Sequence, residues 1–245
     1  MPNIKLVVEY DGTGYSGFQR QSSRPTIQAE LEAALGRLLR EQVKITAAGR
    51  TDASVHALGQ VVNFHTGRAL PPPRLPAAIN RLLPRQIAVK HACEVEAGFH
   101  ARRMARSRRY QYTILNREEP SALAGRFAYQ VSGRLDLAAM RAAARALVGE
   151  HDFAAFQAAG SPSASTVREL TALRIGRLSD IVVVVLEANS FLYQMARIMV
   201  AAMLAVGRGE MAPTEIARIL ESRDRGRVGP PAPPHGLCLV RVNYG

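Results

Sequence analysis

The stretch VKITAAGRTDASVHALGQVVNF, residues 43–64, holds a polar loop between two apolar runs. The runs, 43–48 and 60–64, have the composition of β-strands. The loop between them combines a basic, a hydroxylic, an acidic and an imidazole side chain: Arg50, Thr51, Asp52 and His56. Connections between strands are where a scaffold commonly displays chemistry. The alternative is an ordinary turn, with Asp52 capping its own backbone and Arg50 in solvent.

The composition predicts a globular protein with a polyanionic partner. The chain has 245 residues, 47% of them hydrophobic, and a formal net charge of +12. This length suffices for one large domain or two small ones, and the positive excess favours phosphate contacts. The sequence has no run of about 20 apolar residues that would predict a membrane span. It also has no basic amphipathic helix with an aromatic face. A strand pattern starts so close to Met1 that we expect no signal peptide.

Cysteine, histidine and glycine patterns indicate neither a metal site nor a cofactor site. Cys93 and Cys238 lie in separate apolar runs, which favours buried free thiols in a reducing cytoplasm. The six histidines are scattered, without the close spacing of a ligand set. The glycines of residues 11–21 fit neither a P-loop nor a dinucleotide fingerprint, and a flexible loop is the simplest interpretation.

The order of predicted elements indicates an α+β fold of two similar halves. The first half follows the order of a ferredoxin-like βαββαβ unit. Its elements are a strand at Ile4–Tyr10, a helix capped by Thr26, the two strands around Asp52, a short helix over 75–83 and a strand near 87–93. The second half repeats this order, with the possible cap Asp136, a strong helix over 191–206 and a closing strand at 237–242. We therefore expect antiparallel sheets and two domains, of residues 1–104 and 105–245.

A dense basic run precedes two aromatic residues near the expected domain junction. It comprises Arg102, Arg103, Arg106, Arg108 and Arg109, and is followed by Tyr110 and Tyr112. Arginines can neutralise phosphates while flat rings stack on unpaired bases, although a solvated charge run is the usual alternative.

Arg197 interrupts an otherwise apolar helix in the second half. A buried arginine needs an anionic partner, because an unpaired charge in a core costs several kcal/mol. The alternative is an amphipathic helix whose polar face includes Arg197 and Gln194.

Several motifs, in order along the chain, resemble those of the tRNA pseudouridine synthase A (TruA) family. They are YDGT (10–13), GFQRQ (17–21), GRTDASVHA (49–57), FHAR (99–102), SRRYQY (107–112), FLYQMARIMV (191–200) and PHGLCLV (234–240). Two positions depart from the family pattern, which usually has Gly at position 54 and Trp at position 18; here they are Ser54 and Phe18.

The resemblance implies isomerisation of uridine to pseudouridine in the anticodon stem-loop of tRNA, at tRNA positions 38–40. It implies an active-site cleft between the two halves, no cofactor and a homodimer. The scattered histidines predict no metal, and the free thiols predict a cytoplasmic location. Asp52 would be the nucleophile, attacking the uracil ring or the ribose C1′, and Arg197 would pair with it. Tyr110 would lie against the uracil, and Arg50 would assist base flipping or contact phosphate. Further RNA contacts would come from Arg20, His56, Arg102, Arg103, Arg106, Arg108 and Arg109.

Two other classes of function remain open from the residues alone. A non-catalytic RNA-binding protein would need the charge and the aromatic rings but no Asp52–Arg197 pair. A hydrolase of phosphoryl or glycosyl groups with an aspartate nucleophile would need a metal cluster or a second carboxylate, and neither pattern is evident.

Overall fold

The computed structural model describes residues 1–68, 71–160 and 164–245, which form a mixed α/β structure. The chain divides into two compact units. The first comprises Met1–Arg106 and Cys238–Gly245, and the second comprises Ser107–Leu237. Within the described ranges, no helix is long and apolar enough to cross a membrane.

The first unit is built on a sheet whose strands are far apart in sequence. Its elements are β1 (Asn3–Tyr10), α1 (Ile27–Leu39), β2 (Thr46–Ala47), β3 (His56–His65), α2 (Leu75–Ile79), β4 (Ile87–Val95) and β10 (Leu237–Asn243). The antiparallel order is β4-β1-β3-β2, as expected of a ferredoxin-like unit, and β10 pairs in parallel with β3. The predicted cap of α1 is confirmed, since Thr26 Oγ1 accepts a hydrogen bond from Ala29 N at 3.4 Å.

The second unit has the same kinds of element. They are β5 (Ser107–Leu115), β6 (Tyr129–Gln130), α3 (Leu137–Arg145), β7 (Gly149–Asp152), β8 (Val167–Leu178), β9 (Ile181–Ala188), α4 (Met195–Gly207) and α5 (Glu215–Ser222). The order β5-β9-β8-β7 is antiparallel, and β6 joins β5 in parallel. The predicted cap of α3 is also confirmed, because Asp136 Oδ1 accepts from the amides of Ala138 and Ala139 at 2.9 Å.

Several predicted boundaries are wrong, and two of them have a visible local cause. The strand expected over 43–48 is reduced to β2, because Ile45 N donates to the Glu32 side chain instead of to a ladder. The helix expected from Phe191 starts at Met195, since Gln194 has a φ of 57°. The short helix α2 ends at Ile79, ahead of the expected residue 83. Strand β7 was not predicted, because its polar residues carry no apolar alternation.

The division into units differs from the predicted domains at two places. The boundary falls at Arg106/Ser107, two residues beyond the expected one. The closing strand was expected in the second domain, but residues from Cys238 onward group with the first unit. This follows from register, because Cys238 and Leu239 pair with His56 and Ala57 of β3.

Candidate active site

The loop of residues 49–55 lies between β2 and β3 and carries Asp52. Buried side chains form hydrogen bonds to it. Tyr10 Oη and Thr51 Oγ1 are 2.8 Å apart, and Gln60 Nε2 donates to Gly49 O at 2.9 Å. Tyr10 and Gln60 are at most 2% exposed. Hydrogen bonds between buried groups restrict the polar groups that they join, so the first half of the 49–55 loop, from Gly49 to Thr51, has a defined position.

The segment of residues 11–26, between β1 and α1, packs against the 49–55 loop through contacts between their main chains. Phe18 N donates to Thr51 O at 3.0 Å. A Cβ at Gly12 would lie 2.2 Å from Val55 O, and one at Gly17, whose φ is +92°, would lie 2.8 Å from Thr51 O. Glycine is therefore required at both positions. The glycine pattern interpreted above as a flexible loop serves close backbone packing beside Asp52.

His56 stabilises the start of that segment. Its Nδ1 lies 3.1 Å from Asp11 Oδ1 and 3.1 Å from Gly12 N. The side chain of His56 is only 6% exposed. Its visible contacts position the Asp11–Gly12 turn next to the 49–55 loop, and a direct contact with RNA stays a prediction.

Asp52 is half-buried and its neighbour Arg50 is exposed. Val55 N donates to Asp52 O at 3.2 Å, which closes a tight turn after the aspartate. The turn places Ser54 in the left-handed region, with a φ of 61°. This explains why the related motif usually has glycine here, since glycine reaches this conformation without the steric cost that a Cβ brings.

Replacing Ser54 by glycine should raise the free energy of unfolding. We expect a gain of about 0.5–1 kcal/mol, because relief of the left-handed conformation exceeds the entropy that glycine adds to the unfolded chain. Urea denaturation measures it. The matched control is Ser54→Ala, which removes the hydroxyl but keeps the Cβ and should give no gain. An equal gain in both variants would assign the effect to the hydroxyl instead.

In the second unit, Tyr110 lies on β5 with 8% of its surface exposed. Its ring packs edge-on against Phe191, with the centroids 5.0 Å apart. Phe191 precedes α4 rather than belonging to it, so the ring partner of Tyr110 comes from a non-helical segment. This packing fixes the plane of the Tyr110 ring, as a stacking platform requires.

Arg197 is in the first turn of α4 and is 9% exposed, so the prediction that it resists full exposure is confirmed. Its Nε donates to Ala232 O at 2.7 Å, and Ala232 N donates back to Arg197 O at 3.1 Å. Tyr112 supports the same segment, because its hydroxyl donates to Pro233 O at 2.8 Å and burial raises its pKa far above the usual range. The guanidinium is therefore oriented by backbone that lies 35 residues further along the chain.

The arginines predicted to contact RNA fall into two groups. Arg102, Arg103 and Arg106 are exposed, as a phosphate contact requires. The others have protein partners: Arg20 Nη2 is 2.8 Å from Glu32 Oε2, Arg109 Nε donates to Glu187 Oε2 at 2.8 Å, and Arg108 Nη1 donates to Asn189 O at 2.6 Å. Arg108 is only 8% exposed. Strand alternation explains the burial of Arg108, since it turns this residue to the same face of β5 as the buried Tyr110 and Tyr112, whereas Arg20 and Arg109 remain exposed.

Four supporting residues were not predicted from sequence: Tyr10, Gln60, Phe191 and Ala232. Tyr10 alone had a signal, because its place in an alternating strand predicted burial. The partners of all four are distant in sequence, and no periodicity reveals such pairs. Among the described residues, no group of three or more His, Cys, Asp or Glu side chains could hold a metal ion.

The sequence matches the family described as tRNA pseudouridine synthase over residues 6–102 and 143–245. The chain belongs to this family, and is thus an isomerase acting on tRNA uridines. It is 44% identical over 244 residues to the tRNA pseudouridine synthase A of Acetivibrio thermocellus, with all of both chains covered. It is 43% identical over 244 residues to that of Geotalea uraniireducens, again with all of both covered. The resemblance suggested by the motifs is confirmed.

Solved structures that align with this chain are less similar to it in sequence than these relatives. A crystal structure of the archaeal box H/ACA sRNP Nop10–Cbf5 complex aligns with a TM-score of 0.38 at 13% identity, covering 82% of this chain and 43% of the other.

Proposed function

We propose that this enzyme converts uridine to pseudouridine in the anticodon stem-loop of tRNA, at tRNA positions 38–40, with Asp52 as the nucleophile. The observation that carries the proposal is the support of the 49–55 loop. Buried Tyr10 and Gln60 hold the first half of the loop, directly before Asp52. Gly12 and Gly17 pack against its backbone, and Asp52 itself is half-buried. Such pre-organisation is what a carboxylate nucleophile needs, since misplacement by 1 Å can cost about 10²-fold in rate.

The reaction exchanges one bond for another within a single nucleotide. The bond from ribose C1′ to uracil N1 breaks, a bond from C1′ to uracil C5 forms, and the C5 proton leaves to solvent while N1 gains one. Nothing is oxidised or reduced, so the chemistry requires no redox cofactor. Asp52 would form a transient bond to C1′ or to the uracil ring, and both routes fit a carboxylate nucleophile.

The remaining predicted residues have supporting roles in this proposal. Tyr110, held edge-on by Phe191, would stack on the flipped uracil. Arg197 would pair with the Asp52 carboxylate and keep it ionised. Exposed Arg50, Arg102, Arg103 and Arg106 would contact phosphates, in the cytoplasm where the tRNA is found.

Tritium release tests the activity and its position together. A tRNA transcript labelled with tritium at uracil C5 is incubated with the protein, and label released to water is counted. We expect release from a tRNA with uridine at positions 38–40, and none when these positions hold cytidine and label remains elsewhere. Release from both transcripts would overturn the proposed position. Binding of both without release would indicate an RNA-binding protein instead.

We further propose that the protein is a homodimer with two equivalent active sites, so that one tRNA contacts two basic surfaces. Light scattering at micromolar protein should give about twice the 26.6 kDa chain mass. Mixing Asp52→Asn chains with Arg197→Ala chains should not restore activity. A fully active monomer contradicts the dimer, and restored activity means that chains share a site.

A further inference from the structure

The first unit contains an open cavity of about 270 Å³ whose charged lining is entirely basic. Lys44, His65, His100 and Arg103 line it, and none of the described aspartates or glutamates does. Only Arg103 belongs to the basic run singled out from the sequence. A concave site of one sign of charge concentrates counter-ions, so its ligand should carry negative charge.

One wall of the cavity is held in place by two buried asparagines, Asn63 in its lining and Asn3 behind it. Asn63 Nδ2 donates to Asn3 Oδ1 at 3.0 Å, and Asn63 Oδ1 accepts from Ala101 N at 2.9 Å. Asn3 Nδ2 donates to Phe99 O at 2.9 Å. Both asparagines are at most 4% exposed. They tie residues 96–101 to β1 and β3, so the cavity is preformed.

The same wall includes His100, which lines the cavity. Nδ1 of His100 accepts from the amides of Arg102 and Arg103 at 3.2 and 3.3 Å. The proton of the neutral ring is therefore on Nε2, which is left as a hydrogen-bond donor. A neutral His100 can thus bind an anionic oxygen alongside the two cations.

Neither cation is neutralised by the protein. Lys44 and Arg103 are exposed, and among the described residues neither side chain has a hydrogen bond or an ion pair. By contrast, Lys90 of the same unit has an acidic partner, since its Nζ lies 3.1 Å from Glu9 Oε2. Two uncompensated cations that line one cavity favour a phosphate group as its ligand.

The cavity lies at the end of β3 that is opposite His56, and Thr46 in its lining is six residues from Asp52, a span of at most about 22 Å. Strand β3 begins at His56 beside the 49–55 loop, and residues 63–65 at its other end line the cavity. At about 3.3 Å per residue, these ends of β3 are about 25 Å apart. A phosphate bound here belongs to a part of the RNA outside the target nucleotide.

We propose that this cavity binds a backbone phosphate of the tRNA outside the nucleotide that reacts, up to about 22 Å from Asp52. The inference rests on the proposed function, because the tRNA supplies the phosphate. A contact outside the reacting nucleotide is equally strong in the ground state and the transition state. It therefore strengthens tRNA binding and leaves kcat unchanged.

The test compares two double variants with equal loss of charge. Lys44→Ala/Arg103→Ala empties the cavity of its cations, whereas Arg81→Ala/Arg85→Ala removes two exposed arginines of the same unit that do not line it. Since all four side chains are exposed, both variants should fold. We expect the cavity variant to lose about tenfold or more in tRNA affinity, with the slope of log affinity against log salt reduced by about 1–2. The control variant should show less than half of the loss in affinity and less than half of the reduction in salt slope. In both variants, kcat at saturating tRNA should stay within about twofold of the parent.

Three outcomes overturn the assignment. Equal losses in the two variants would mean a general charge effect, and a lower kcat with unchanged affinity would place the cavity in the chemistry. In a parallel calorimetric titration with uridine monophosphate, binding that the cavity variant abolishes, with unchanged tRNA affinity, would assign the cavity to free nucleotides. Failure of the proposed function is separate, because it appears as absent tritium release by the parent whatever the variants bind.

Discussion

Replacing Asp52 by asparagine should lower pseudouridine formation by about 10⁴-fold or more, while tRNA affinity changes less than about tenfold. A neutral amide cannot form the covalent bond that the proposed mechanism assigns to the carboxylate. Affinity is expected to survive because it arises mainly from phosphate contacts of the surplus arginines and lysines. Tritium release at saturating tRNA measures the rate, and filter binding at fixed salt measures the affinity.

A matched aspartate elsewhere provides the control. Asp180, in the turn between β8 and β9, has a side chain that is 51% exposed, and its Oδ2 lies 3.5 Å from Arg117 Nη1. Asp180→Asn should keep both rate and affinity within about twofold, since exposed ion pairs contribute little. A turnover by Asp52→Asn within about a hundredfold of the parent would remove Asp52 from the role of nucleophile.

Replacing Arg197 by methionine should lower both the rate and the stability. The buried guanidinium donates to Ala232 O, and the methionine would leave that carbonyl without this donor. We expect the free energy of unfolding to fall by about 2–4 kcal/mol. The rate should fall by about 10²-fold or more, because Asp52 would lose the cation proposed to hold it ionised.

A double-mutant cycle separates these two effects. If Arg197 acts on the reaction through Asp52, then adding Arg197→Met to Asp52→Asn should cause little further loss of rate. The two substitutions should also show a coupling of about 1 kcal/mol or more in stability. Arg197→Lys, which keeps the charge but not the planar fork, should be intermediate. Additive losses in both rate and stability would show that Arg197 has only a structural role.

Much of the element order was predictable because the signals are local. The alternation in Ile4–Tyr10 and the cap at Thr26 were each decided by neighbouring residues, and the structure confirms them. Strand β7 had no such signal, and the start of α4 depends on the unusual backbone of Gln194. Predicted boundaries were wrong where a hydrogen bond to a side chain or a positive φ ended the element that the apolar pattern predicted.

The sequence by itself determined the family of this protein, the order of its main elements and the kinds of side chain that its loops present. These follow from motifs and from periodicities that span a few residues. Only the tertiary structure decided which residues support Asp52 and which cations share a cavity. Tyr10 meets Thr51 across 41 residues, and Asn3 meets Phe99 across 96. Such pairs depend on the register of β1, β3 and β4, and register arises from packing of the whole sheet rather than from any one segment.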